Sequence, residues 1–257
     1  MASTLALLLS ACATDASSPE AGVGVSVLPS AGTAPPTDGA SVADPHQSAP
    51  PSDAQTYEEV EVSDDMTLVR PLLWNYEGFR VEPEVRAPSI VLTRADGEQV
   101  NLRDVTEGAY TLLSFGYTSC PDICPGTMAV NASALRELPP EIADEVRVVF
   151  VSVDPERDSL EVLTAWIANF DRDLRSDFVA LRPADDGLAH HAQLLMHVNP
   201  ATKEPTAEGD YAMSHAAYQL LFMPDGKARL AYPFGMTPDQ FRTDLVSLVE
   251  DGWDPAV

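Results

Sequence analysis

From about residue 87 onward, apolar residues fall either into short runs or into helical spacing, and the two patterns alternate along the chain. Residues 110–116 (YTLLSFG) and 147–153 (RVVFVSV) are nearly continuous apolar runs, the signature of strands buried on both faces. Shorter strands are predicted near 89–94, near 99–102 beyond the turn signal Ala95-Asp96-Gly97-Glu98, and at 178–181. Met128, Ala132 and Leu135 carry helical spacing through 124–138, and another helix is expected over 185–197. Asp158-Ser159 with Glu161 is an N-cap signal for a helix through Leu163, Trp166, Ile167 and Phe170. Residues 218–223 and 228–232 flank the turn Pro224-Asp225-Gly226 and predict a hairpin. A last helix runs from Thr237-Pro238 to about Asp251, with proline in its first turn. Strands alternating with helices and closing on a hairpin and a helix predict an α/β fold with a mixed central sheet. Residues 57–86, with Trp74, Tyr76 and Phe79, read as structured but without assignable elements.

The first 56 residues have a different character. Residues 13–56 are dominated by Ala, Ser, Pro, Gly, Asp and Thr, and no aromatic residue precedes Tyr57. Such a stretch buries too little apolar surface to offset the entropy of ordering it, so a disordered spacer is expected there. Residues 57–257 are then the folded domain, with a core over about 87–250. The formal net charge is −25, with no Lys or Arg before Arg70 and only two lysines, Lys203 and Lys227. A nucleic-acid partner is excluded because phosphate neutralisation needs clustered Lys and Arg, and polybasic attachment to anionic lipid fails on the same ground.

Leu5-Ala6-Leu7-Leu8-Leu9 followed by Ser10-Ala11-Cys12 is too short to span a bilayer as a helix. It resembles a bacterial lipoprotein signal, residues 1–12, whose cysteine is acylated. That resemblance implies a lipid on Cys12 and an extracytoplasmic, periplasmic-side location. The basic residues expected at the start of a secretory signal are missing. Either the start lies upstream or the segment is only an apolar N-terminus. With Cys12 lipidated, the spacer would let the domain range on the order of tens of ångströms from the membrane.

Cys120 and Cys124 are the remaining thiols, both in Gly116-Tyr-Thr-Ser-Cys-Pro-Asp-Ile-Cys-Pro125, between a predicted buried strand and a predicted helix. A close pair of this kind reads as a redox or metal site rather than a disulfide framework. Helix N-terminal amides favour thiolate there, and soft sulfur selects Cu(I), zinc or iron–sulfur over hard cations. Three residues separate the cysteines, where a thioredoxin oxidoreductase has two. Two ligands are too few for a closed zinc site, so a third donor must come from elsewhere. His215, in Tyr211-Ala-Met-Ser-His215, is the candidate, because the element order suits a thioredoxin-like core with an inserted helix-containing segment.

Three stretches carry a family resemblance: Phe115–Pro125, Val151-Ser-Val-Asp-Pro-Glu-Arg-Asp158, and Ser214-His215 ahead of a strand and the Pro-Asp-Gly turn. Together they resemble the Sco/SenC family over about residues 87–250. The resemblance implies a thioredoxin-like fold that binds one copper, Cu(I) or Cu(II), through Cys120, Cys124 and His215. It further implies a role in assembling the copper A centre of cytochrome c oxidase subunit II, with a periplasmic copper donor and a thiol reductant as further partners. The family usually has Asp where this chain has Ser214, which bears on tuning of the imidazole. Asp122 and Asp154 match family positions and offer nearby negative charge, loop geometry and helix capping being the plainer reading.

Other signals are weaker. His190 and His197 would share one helix face two turns apart if the helix over 185–197 runs its full length, although surface histidines are mostly solvated. Met223 and Met236 read as core filler, while Met213 lies two residues from His215. His46 falls in the spacer. Two other activities fit the fold: a thiol–disulfide oxidoreductase using Cys120 and Cys124 without copper, and a peroxidase, against which the paired cysteines argue. A purely structural disulfide would close too short a loop to constrain the unfolded chain much.

Overall fold

The computed structural model describes residues 57–71, 74–207 and 209–254. The expected signal with Cys12 and the spacer with His46 lie outside the described residues. Residues 57–86, left unassigned by the sequence pattern, form three antiparallel strands: β1 (Tyr57–Ser63), β2 (Met66–Pro71) and β3 (Phe79–Arg86). β4 (Val91–Arg94) and β5 (Gln99–Asn101) make the first predicted strand pair, joined through Gly97 in the left-handed region that glycine adopts without strain. Then follow α1 (Leu102–Thr106), β6 (Tyr110–Gly116), α2 (Ile123–Glu137), α3 (Pro140–Ala143), β7 (Val146–Ser152), α4 (Leu160–Ile167), β8 (Asp177–Arg182) and α5 (Asp186–Leu195). The chain ends with β9 (Thr202–Pro205), β10 (Tyr211–Ser214), β11 (Tyr218–Phe222), β12 (Lys227–Pro233) and α6 (Pro238–Asp251).

Ten strands form one sheet in the order β1-β2-β3-β12-β11-β6-β7-β8-β4-β5. β6, β7 and β8 run parallel, and every other neighbouring pair is antiparallel. This is the expected mixed α/β, thioredoxin-like arrangement, lengthened at one edge by β1–β3. The apolar runs occupy the middle. In β6 every residue after Tyr110 is buried, and in β7 only Arg147 is not. β1 stands at an open edge and carries exposed Glu58, Glu59 and Glu61, charges that discourage pairing with another chain. α6 begins with a complete capping box between Thr237 and Gln240. Its buried Asp244 accepts hydrogen bonds from the Glu77 and Gly78 amides and the Tyr232 hydroxyl at 2.8–2.9 Å, which ties the added strands to the core.

The expected cap of α4 is present, supplied by Ser159 with Glu161 in the first turn, and two other local expectations are corrected. Ser159 caps α4 through Val162 N–H, whereas Asp158 is fully buried and bonded elsewhere. α4 stops at Ile167, short of Phe170, where the Asn169 side chain donates to the carbonyls of Ala165 and Trp166. α5 stops at Leu195, and His197 adopts φ 57° beyond its end, so His190 and His197 share no helix face.

Candidate metal centre

β6 delivers the chain to the cysteine loop, and its last residue sets the packing there. A β-carbon on Gly116 would lie 2.6 Å from Cys124 Sγ and 2.7 Å from the Phe150 ring, so the bare backbone makes room for the sulfur. The loop turns through a Cys120 N–H to Tyr117 carbonyl bond of 3.2 Å. Thr118 anchors it: its amide and hydroxyl both donate to the Asp158 carboxylate, the hydroxyl at 2.6 Å, and Ser152 at the end of β7 donates to the same carboxylate at 2.6 Å. Burial raises the Asp158 pKa above the usual carboxylate value, against the pull of these donors.

α2 begins at Ile123, so the Cys124 amide is one of the first-turn N–H groups without an intrahelical partner. It donates to Cys120 Sγ at 3.4 Å. Pro125, two residues into the helix, forfeits no helical bond because its N–H would also lack a partner. Asp122 precedes the helix with an exposed side chain that makes no capping hydrogen bond.

His215 arrives from the other side of the site, immediately after β10. β9 and β10 pair only with each other, in a small two-stranded sheet that the sequence pattern did not reveal. His215 Nδ1 lies 3.0 Å from the Ala216 carbonyl. A carbonyl only accepts, so Nδ1 carries the proton and Nε2 keeps its lone pair for the sulfurs. Nε2 stands 3.8 Å from Cys120 Sγ and 3.5 Å from Cys124 Sγ. The Tyr117 ring meets the imidazole edge-on, with centroids 5.6 Å apart.

Inside the protein, α2 is held against β11, which follows His215, by a reciprocal amide pair. Asn131 donates to Gln219 at 2.8 Å and Gln219 returns the bond at 3.1 Å, both side chains being buried. This pair lies two helical turns beyond Cys124 and four residues beyond His215, so it fixes the two halves of the site relative to each other.

The two thiols are unequal. Cys120 is lowered to about 4, first by the hydrogen bond from the Cys124 thiol, then by the Cys124 amide and the Asp122 amide, with burial opposing. Cys124 is raised, because it gives its proton to that bond, because it is buried, and because of the charge on Cys120. The site therefore presents one thiolate and one retained thiol.

Among the described residues, Cys120, Cys124 and His215 form the one group of three or more His, Cys, Asp or Glu side chains placed to hold a metal ion, their donor atoms all within 4.8 Å of one another. Both sulfur–nitrogen separations fit a single ion ligated at about 2.0–2.3 Å, and two sulfurs with an imidazole are a soft donor set. No other Asp, Glu, Cys or His among the described residues joins this group. Asp154 is buried against Arg157 and Tyr211, Ser214 is exposed at the end of β10, and Met213 and Met223 are packed in the core. His190 and His191 are exposed on α5. Tyr117, Arg157, Asp158 and Tyr211 also support the site; they lie inside or beside the motifs quoted above, but no residue type marks them there as supports.

Fold and site define a thioredoxin-like protein with a Cys2His centre at the carboxyl end of a central strand. Residues 83–250 match the sequence model of the SCO1/SenC family. The chain belongs to that family. It is similar to a Stutzerimonas stutzeri protein named for copper binding, with 32% identity over 127 residues, 49% of this chain and 59% of the relative. It is also similar to SCO1 homolog 1 of Arabidopsis thaliana, with 30% identity over 134 residues, 52% of this chain and 38% of the relative. The chain thus spans about half the length of these curated relatives. Among solved structures, ScoI of Bradyrhizobium japonicum with copper bound has 32% identity and a TM-score of 0.55, covering 63% of this chain and 98% of that one. No helix among the described residues is long and apolar enough to cross a membrane.

Proposed function

We propose that this protein is a copper chaperone that holds one Cu(I) or Cu(II) on Cys120, Cys124 and His215 and delivers it to the copper A site of cytochrome c oxidase subunit II. The convergence of two sulfurs and a bare imidazole nitrogen on one point carries this reading. Membership of a family in which a relative 32% identical is described with copper bound supports it. The domain works outside the cytoplasmic membrane, tethered by a lipid on Cys12 through the spacer at 13–56, and receives copper from a periplasmic donor.

Three protein ligands leave the shell incomplete, so an incoming target cysteine or histidine can bind before a chaperone ligand leaves. Transfer is then ligand exchange without net redox change. The test is a Cu(II) titration of the reduced full chain carrying Cys12→Ser, followed by visible absorption, beside the same chain with His215→Ala. Thiolate-to-copper bands that saturate at one equivalent and change in the variant are expected. No binding of Cu(II), or of Cu(I) in competition with a chelator, overturns the reading.

A second reading rests on the inequality of the thiols. The Cys120 thiolate would attack a target disulfide, and Cys124 would then resolve the mixed disulfide. The target leaves as a dithiol, Cys120 and Cys124 become a disulfide, and a thiol reductant resets the pair. This activity survives His215→Ala and needs no copper, which separates it from the first reading.

A further inference from the structure

His215 has no place in the main sheet. It is carried by the β9–β10 hairpin, so its position over the sulfurs depends on what pins that hairpin to the body of the protein. Lys203 on β9 pairs with Glu156 and Asp186 at 2.8 Å, and a second side chain outside the donor set holds the β10 strand that leads into His215. Arg157, in the loop between β7 and α4, pairs through Nε with the buried Asp154 carboxylate and donates from Nη1 to the Tyr211 carbonyl at 2.9 Å. Its guanidinium stacks on the Tyr211 ring at 3.8 Å and lies 5.6 Å from the Tyr117 ring. The Tyr211 hydroxyl donates to the same Asp154 at 2.8 Å, closing a ring of contacts from the loop to the first residue of β10. Tyr117 is the residue whose edge meets His215, and its hydroxyl is reached by a backbone hydrogen bond from Met213.

We propose that Arg157 is the positioning residue for His215: by clamping the hairpin through Tyr211 and flanking Tyr117, it determines whether the centre offers three donors or two. This deepens the reading of the centre as a metal site and rests on it. The task suits arginine, whose planar fork can pair with a carboxylate, reach a carbonyl and present a face to an aromatic ring together. Lysine keeps the charge and supplies none of that planarity.

The reduced full chain carrying Cys12→Ser is compared with its Arg157→Lys, Arg157→Met and Tyr211→Phe forms. Copper binding is followed by visible absorption and by the nitrogen hyperfine pattern of Cu(II). In the arginine variants the thiolate bands should persist while the nitrogen coupling is lost. Affinity should fall by about 10- to 100-fold, the range for removing a group that orients a metal ligand. Tyr211→Phe, which keeps the ring and the carbonyl, should show a smaller loss in the same direction. Thermal melts identify any variant that fails to fold; should Arg157→Met do so, the other two decide. Folded variants that retain nitrogen coupling and affinity overturn the proposal. If the parent chain binds no copper, the chaperone reading fails by itself. The imidazole resonances of His215 in metal-free protein then decide: one narrow set in the parent that broadens or splits in Arg157→Lys supports the clamp, and unchanged resonances overturn it.

Discussion

Gly116 and Cys124 are packed so closely that the glycine's missing β-carbon is the space the sulfur uses, 2.6 Å from where that carbon would stand. The Phe150 ring lies 2.7 Å from the same point, and both neighbours are buried. Gly116→Ala should therefore displace Cys124 from its place under His215. Overpacking of this kind costs about 1–3 kcal/mol. A urea melt should show that loss, and copper competition should show weakened binding in whatever fraction stays folded. A variant with unaltered midpoint and affinity would mean that the loop yields more easily than its packing implies.

The sheet centre and the donors were legible in the sequence because each has a local signature. β6 and β7 are uninterrupted apolar runs, and the cysteine pair sits at a predicted strand-to-helix junction. The edge went unassigned even though Glu59-Val60-Glu61-Val62 and Phe79-Arg80-Val81-Glu82 alternate, because these stretches are rich in Glu, a residue depleted in strands, and β3 is interrupted by Pro83. β9 reads Thr-Lys-Glu-Pro, wholly exposed, and its pairing with β10 depends on tertiary placement rather than on local pattern.

Asp158 shows the same limit from the other side. Beside Ser159 and ahead of a helix it reads as a cap, yet its carboxylate is turned inward to hold Thr118 and Ser152, two residues distant in sequence from each other. Arg157 likewise looks like any charged loop residue until the fold brings Tyr117 and Tyr211 around it. Donors announce themselves by residue type; the groups that orient them do so only by contact.

The Asn131–Gln219 pair makes a separate prediction about stability. Asn131→Ala leaves the Gln219 amide buried without its partner, at a cost of about 1–3 kcal/mol. Replacing both residues with apolar side chains of similar size, Asn131→Leu with Gln219→Met, should recover much of that loss. A double-mutant cycle by denaturant unfolding measures the coupling. Additive effects would show that the two amides contribute independently and do not act as one tie between α2 and β11.

In the metal-free, reduced centre the pKa values of the two thiols are shifted in opposite directions. Cys120 has a folded-state pKa near 4, below its unfolded value of about 8.5. Its contribution to stability is therefore fully present above about pH 8.5 and is lost as pH falls through the folded value. Cys124 has the opposite sign: its folded pKa is raised, so stability tied to its retained proton is present below about pH 8.5 and is lost as pH rises beyond. Between the two the folded state carries one proton where the unfolded state carries two, so this pair makes stability rise with pH up to the unfolded thiol range and fall above it. Ultraviolet titration of the chain carrying Cys12→Ser should show one thiolate already formed at pH 6 and no second until well above pH 9. Iodoacetamide at pH 6 should label Cys120 and spare Cys124 by mass spectrometry, and Cys124→Ala should slow that labelling by removing the donor that holds the Cys120 charge. Equal labelling of the two cysteines would show that the proton is not confined to Cys124. The inequality on which the redox reading depends would then be absent, while the convergence of three donors that supports copper binding would stand.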